Sequence, residues 1–90
     1  MHKAELIQLI AEQADLSIRD ATVALNAILD EIALTLSRKE SVTLVGFGSF
    51  IVKQRAARKG KNPKTGEQIE IAAKYALTFK PGKALKASVA

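Results

Sequence analysis

The chain has no cysteine, no tryptophan, one methionine, one histidine, two prolines and only four aromatic residues among its 90. Without cysteine there is neither a disulfide nor a thiolate metal site. The lone histidine, His2, stands at the start of a helix, and one imidazole provides neither a metal-ligand set nor a nucleophile–base pair. The carboxylates fall mainly on the outer faces of the predicted helices. Gly46-Phe47-Gly48 lacks the further glycines, the Lys and the Ser/Thr of a phosphate loop. No enzyme, metal or cofactor is therefore expected. Long apolar runs are also missing: no window approaches the ~20 residues of a membrane span. Met1 to Ile10 carries His2, Lys3 and Glu5 and does not resemble a signal peptide. The expectation is a soluble protein that stays in the compartment where it is made.

Acidic residues are nearly absent from the second half. Residues 1–40 hold four basic side chains against seven acidic ones, a balance of −3, whereas residues 41–90 hold ten against two, a balance of +8. The net charge of +5 conceals this split, which separates a self-contained half from an anion-facing half. The basic charge concentrates between Lys53 and Lys74. From Arg55 to Gly66, five of twelve residues are basic, none is acidic and none is a large apolar residue. This segment cannot be core. Asn62-Pro63-Lys64-Thr65-Gly66 reads as a turn, because proline fixes φ and glycine tolerates φ > 0. Glu67-Gln68-Ile69-Glu70-Ile71 beyond it alternates as a strand does. The pattern predicts a basic hairpin arm with Pro63 at its tip.

Taken in order, the chain predicts α-α-β-β(arm)β-α, an α+β fold. Leu6, Ile7, Ile10 and Ala14 make one helical stripe over residues 2–14. Ser17, with Asp20 three residues on, is a variant capping box that opens a second helix, 18–38. In that helix Ala21, Leu25, Ile28, Leu29, Ile32 and Leu36 form a near-heptad stripe suited to packing on another helix, and Arg38 and Lys39 suit its negative end. A helix-turn-helix role is disfavoured, because the second helix exposes Asp20, Asp30 and Glu31 with only Arg19 and Asn26 to offset them. Ser41 to Val45 is a strand, Gly46-Phe47-Gly48 a tight reversal, and Ser49 to Val52 a strand that runs into the arm. The returning strand continues through Ala72-Ala73 to Phe79, with Tyr75, Leu77 and Phe79 on one face and Ala76, Thr78 and Lys80 on the other. Pro81-Gly82 ends it, and a last helix over residues 83–90 turns Leu85 and Val89 inward. Phe47, Phe50 and Phe79 sit among Val, Leu and Ile and read as core, not as a stacking platform for bases. The apolar fraction of 48% exceeds what a small monomer with a polar arm requires, which points to an oligomer.

Arg55, Arg58, Lys59, Lys61 and Lys64 can each meet a phosphate, and the arginine fork also suits a narrow minor groove. Pro63, apolar and without a donor, is suited to wedge between base pairs. Gln54 and Asn62 can reach base edges, but two amides do not make a code. Binding is therefore expected to be electrostatic and tolerant of sequence, with preference set by how cheaply DNA bends. Two other readings remain at this level. One is a general polyanion or RNA-binding module that docks by charge alone. The other is an anchor on anionic lipid, for which an adjacent apolar anchor is missing, since Arg55 to Gly66 contains no Leu, Phe or Trp.

The chain resembles the bacterial HU proteins of the HU/IHF histone-like family over essentially its whole length. The match rests on Lys3-Ala4-Glu5-Leu6-Ile7, on Val45-Gly46-Phe47-Gly48-Ser49-Phe50 and above all on Gly60-Lys61-Asn62-Pro63-Lys64-Thr65-Gly66. It continues in residues 69–73 and in Phe79-Lys80-Pro81-Gly82-Lys83-Ala84-Leu85-Lys86. Proteins of this type are established users of the intercalating wedge. The resemblance implies a single domain over residues 1–90: a helical dimerisation part (1–40), a sheet (41–80) with its arm at about 53–74, and a C-terminal helix (83–90). It implies an intertwined dimer, a homodimer with a paralogue heterodimer as the alternative, whose core contains Leu29, Ile32, Leu36, Leu44, Phe47, Phe50 and Phe79. It further implies that two arms embrace the minor groove of bent or nicked double-stranded DNA. Lys53, Arg55, Arg58, Lys59, Lys61, Asn62, Pro63, Lys64 and Lys74 would meet DNA along the arm. Lys3, Lys80, Lys83 and Lys86 would meet it on the body. The expected role is non-sequence-specific DNA bending in the cytoplasmic nucleoid, with an IHF-like, sequence-preferring protein as the alternative. The chain departs from the family at His2 (more often Asn), at Lys61 (commonly Arg) and at Lys74-Tyr75-Ala76 (commonly Asn-Val-Pro).

Overall fold

Helices form where the apolar stripes repeat at helical spacing, and strands where the pattern alternates. The computed structural model describes all residues, Met1–Ala90, as α1 (Lys3–Ala14), α2 (Ile18–Ser37), β1 (Val42–Leu44), β2 (Gly48–Arg55), β3 (Arg58–Lys61), β4 (Gln68–Ile71), β5 (Lys74–Pro81) and α3 (Lys83–Val89). They fall into two units, Met1–Thr35 and Leu36–Ala90.

In the first unit, His2 lies just outside α1 in extended conformation, and its imidazole makes no capping hydrogen bond. Asp15 ends the helix in left-handed conformation (φ 54°), and the Leu16 amide donates to the Ala11 carbonyl at 2.9 Å. The Ser17 hydroxyl then accepts from the Asp20 amide at 3.0 Å, which satisfies one of the free donors at the start of α2. Ala11, Ala21 and Leu25 are the buried apolar residues of the chain. The stripe of α2 loses its cover further along: Ile28 and Leu29 are exposed, and Ile32 is half-buried.

In the second unit, β1, β2 and β5 form an antiparallel sheet in the order β1-β2-β5, while β3 and β4 form a separate two-stranded ribbon. The register pairs Val42 with Phe50 and Phe50 with Phe79. Since directly opposed residues share a face, Val42, Leu44, Phe50, Val52, Tyr75, Leu77 and Phe79 lie on one side. The Phe79 ring sits 5.0 Å from that of Phe50 and 5.6 Å from that of Phe47. Gly48 lies beneath it, and a Cβ there would fall 2.7 Å from the Phe79 ring and 2.8 Å from the Lys80 carbonyl oxygen. Only glycine fits that position.

Several expectations need correction. Gly48 opens β2 and is not part of the reversal, which Phe47 closes by donating to the Leu44 carbonyl at 2.9 Å. The returning strand is not continuous, since β4 ends at Ile71 and β5 begins at Lys74. Alanines on both sides of that gap leave no bulky cross-strand pair to hold the ladder. Arg38 and Lys39 lie beyond the last turn of α2. Lys39 adopts φ 65° and places its ammonium 4.4 Å from the Tyr75 ring centroid, while Arg38 reaches Glu40 at 3.9 Å. In α3, Leu85 is half-buried as expected, but Val89 is 79% exposed.

The apolar side of the sheet stays largely uncovered within one chain: Leu44, Phe47 and Phe79 are exposed and Phe50 is half-buried. A compact monomer of 9.7 kDa exposes roughly 5,100 Å². This chain exposes 7500 Å². Ile28 and Leu29 on α2 and Leu44, Phe47, Leu77 and Phe79 in the second unit are among the exposed apolar residues.

Candidate nucleic-acid interface

The opposite face of the sheet carries the charge. Thr43, Ser49, Ile51, Lys53 and Arg55 share it with Lys74, Ala76, Thr78 and Lys80, because Ser49 pairs with Lys80, Lys53 with Ala76 and Arg55 with Lys74. Four cations thus lie on one side and the aromatic cluster on the other. The hydroxyls between them extend the polar surface, and Ser49 is hydrogen-bonded to Thr43 at 3.2 Å. Thr78 falls on the face of Ala76 and Lys80 as the alternation predicts, whereas Thr43, Ser49 and Ile51 were not singled out from the sequence. Their period-two spacing with Lys53 and Lys80 was the signal that could have found them.

The arm continues this register without a slip. Arg55 faces Lys74 on one side of the gap and Arg58 faces Ile71 on the other, so Ala56-Ala57 oppose Ala72-Ala73 with no residue inserted. Alternation then places Lys59 and Lys61 with Glu70 and Gln68 on one face of the ribbon, and Arg58 and Gly60 with Ile71 and Ile69 on the other. Lys59 directly faces Glu70, a cross-strand pairing of opposite charge. Sequence reading did not identify that pairing, which depends on register.

At the tip, the Asn62 side-chain oxygen accepts from the Lys64 amide at 2.9 Å, and the Gly66 amide donates to the Asn62 carbonyl at 2.7 Å. The Asn62 amide in turn donates to the Glu67 carbonyl at 2.8 Å. Gly66, at φ 73°, takes the left-handed position that favours glycine. These bonds make Asn62 a structural element of the turn, while Pro63 and Lys64 stand exposed at its end. The structure therefore brings Lys53, Arg55, Arg58, Lys59, Lys61, Lys64, Lys74 and Lys80 onto one sheet-and-ribbon element. Lys83 and Lys86 lie exposed on α3 of the same unit. Lys3 opens α1 in the first unit.

The family described as bacterial DNA-binding protein matches residues 1–90. The chain is 55% identical over 89 residues to the DNA-binding protein HU-alpha of Pseudomonas aeruginosa and 53% identical over 89 residues to the DNA-binding protein HU of Geobacillus stearothermophilus, covering 99% of each partner in both alignments. Among solved structures it is similar to an Anabaena HU–DNA cocrystal structure, with a TM-score of 0.82, 43% identity, and coverage of 100% of this chain and 98% of that one. It is also similar to HU from Thermotoga maritima, with a TM-score of 0.70, 33% identity and full coverage of both chains.

Proposed function

The chain belongs to the bacterial DNA-binding protein family, and from that premise we propose that it is a non-sequence-specific architectural DNA-binding protein acting as a dimer. The observation that carries the proposal is the two-sided sheet. One face gathers Lys53, Arg55, Lys74 and Lys80, and the other presents Phe50, Leu77 and Phe79 for a second chain. The helical part, with Leu29, Ile32 and Leu36, joins Leu44, Phe47, Phe50 and Phe79 in a shared core. A homodimer is the simplest assembly for one such chain.

On this reading the sheet forms a floor for a bent duplex and each arm follows the minor groove. Arg55, Arg58, Lys61 and Lys64 meet phosphates or the groove, and Pro63 wedges between base pairs. Such a wedge costs a few kcal/mol of unstacking and bends the duplex onto more protein surface. Lys3, Lys80, Lys83 and Lys86 then meet the continuing backbone. The whole chain works as one DNA-binding domain, in the cytoplasm and on the nucleoid. No helix is long and apolar enough to cross a membrane.

The test compares binding to an intact and a nicked duplex of one sequence, for the wild type and for Pro63→Ala. Tighter binding to the nicked duplex, with the advantage lost in Pro63→Ala, supports a kinking wedge. Equal binding to both duplexes by both proteins leaves the arm a charged strap and favours the general polyanion reading.

A further inference from the structure

The gap between sheet and arm contains an open hollow of about 420 Å³. Lys53, Arg55, Arg58 and Lys74 line it, and no carboxylate does. Ala56 and Ala72 also line it, and their methyl groups leave space that larger side chains would fill. Arg55 and Lys74 face each other directly in the register. Like charges at directly opposed positions destabilise a β-ladder. The chain's one ion pair joins Arg38 and Glu40, so no acidic side chain relieves this repulsion. The free protein therefore holds four unneutralised cations around one hollow.

We propose that this hollow, at the root of the arm and within the nucleic-acid interface, also binds a condensed phosphate chain, a triphosphate or longer polyphosphate. A phosphodiester brings one negative charge to a hollow lined by four cationic residues. A condensed phosphate concentrates several charges in a volume the cavity can hold, and guanidinium groups bind phosphate oxygens in pairs. Occupancy neutralises the Arg55–Lys74 repulsion and bridges the two strands across the alanine gap. It also competes with DNA for the root of the arm. The site does not depend on the DNA-bending reading, since its test contains no DNA.

The probe is sodium tripolyphosphate, followed by backbone amide NMR and by thermal unfolding, with orthophosphate at matched ionic strength as the comparison. The expected result is saturable binding, one per chain, with shifts confined to residues 53–58 and 71–76 and affinity about tenfold or more above that for orthophosphate. Lys74→Gln should melt higher than wild type without ligand, because the repulsion is gone, and should lose tenfold or more in tripolyphosphate affinity. Arg19→Gln, on α2, should bind as wild type does. Shifts spread evenly over all basic residues, non-saturating binding, or undiminished binding by Lys74→Gln would each overturn the site. A lower melting temperature for unliganded Lys74→Gln would overturn the repulsion on which it rests.

Discussion

The two faces of the sheet make opposite predictions for neighbouring cations. Lys53 lies on the face shared with Arg55, Lys74 and Lys80. Lys39 lies against Tyr75, which belongs to the aromatic face. If Lys53 meets a phosphate as proposed, Lys53→Gln removes one such contact per chain and two per dimer. Each neutralised phosphate contributes a slope of roughly −0.9 in log K against log salt. The slope should therefore become shallower by about 1.8 in Lys53→Gln. Extrapolated from 1 M to 0.1 M salt, this corresponds to an affinity loss of about 60-fold, or ~2.4 kcal/mol. Lys39→Gln should leave the slope unchanged, although both variants remove one positive charge.

The assay is a salt titration of binding to a short duplex by fluorescence anisotropy, run in parallel on both variants and the wild type. Equal slopes for the two variants would mean that the protein acts as a diffuse cloud of charge and that the facing of its cations is irrelevant. An unchanged slope in Lys53→Gln would remove the sheet floor from the interface.

Gly48→Ala must push a methyl group against the Phe79 ring and the Lys80 carbonyl; it should cost about 1–3 kcal/mol, read by urea unfolding. Ser17→Ala removes the acceptor for the Asp20 amide and should cost about 1 kcal/mol in the same assay, with DNA affinity retained at temperatures where the protein is folded. If a second chain covers the apolar sheet face, the melting temperature should rise with protein concentration; a concentration-independent Tm would refute the dimer.

Much of the architecture was legible because it rests on local periodicity. The stripe containing Ala21 and Leu25 marked α2, the alternation of Tyr75, Leu77 and Phe79 marked the core face of β5, and Asn62 to Gly66 marked the turn at the tip. The less legible features depend on pairing between distant residues. The opposition of Lys59 and Glu70, and that of Arg55 and Lys74, follow from a register that composition does not contain. The break at Ala72-Ala73 was missed because alanine fits a strand pattern as readily as it interrupts one. Gly48 was placed in the turn because a Gly-Phe-Gly run resembles a reversal. Its actual constraint is a ring lying across its backbone, a tertiary contact.

The interrupted ladder also bears on why distorted DNA should be preferred. An isolated two-stranded ribbon is marginal in water, and here the hydrogen-bonded sheet stops at the alanines before resuming as β3 and β4. Ordering backbone costs on the order of 1–2 kcal/mol per residue, so docking the arm consumes part of the electrostatic gain before any base step opens. On an intact duplex the wedge must then supply a few kcal/mol more for unstacking. A nick or mismatch has already met much of that cost, while the phosphate contacts proposed for Lys53, Arg55, Lys61 and Lys64 would be the same on both substrates. The preference should therefore reside in the salt-independent part of the binding free energy. Intact and nicked duplexes should give parallel lines of log K against log salt, separated by a vertical offset that Pro63→Ala reduces. Lines that differ in slope would instead show that distortion changes how many phosphates are engaged, and the wedge would then not be the source of selectivity.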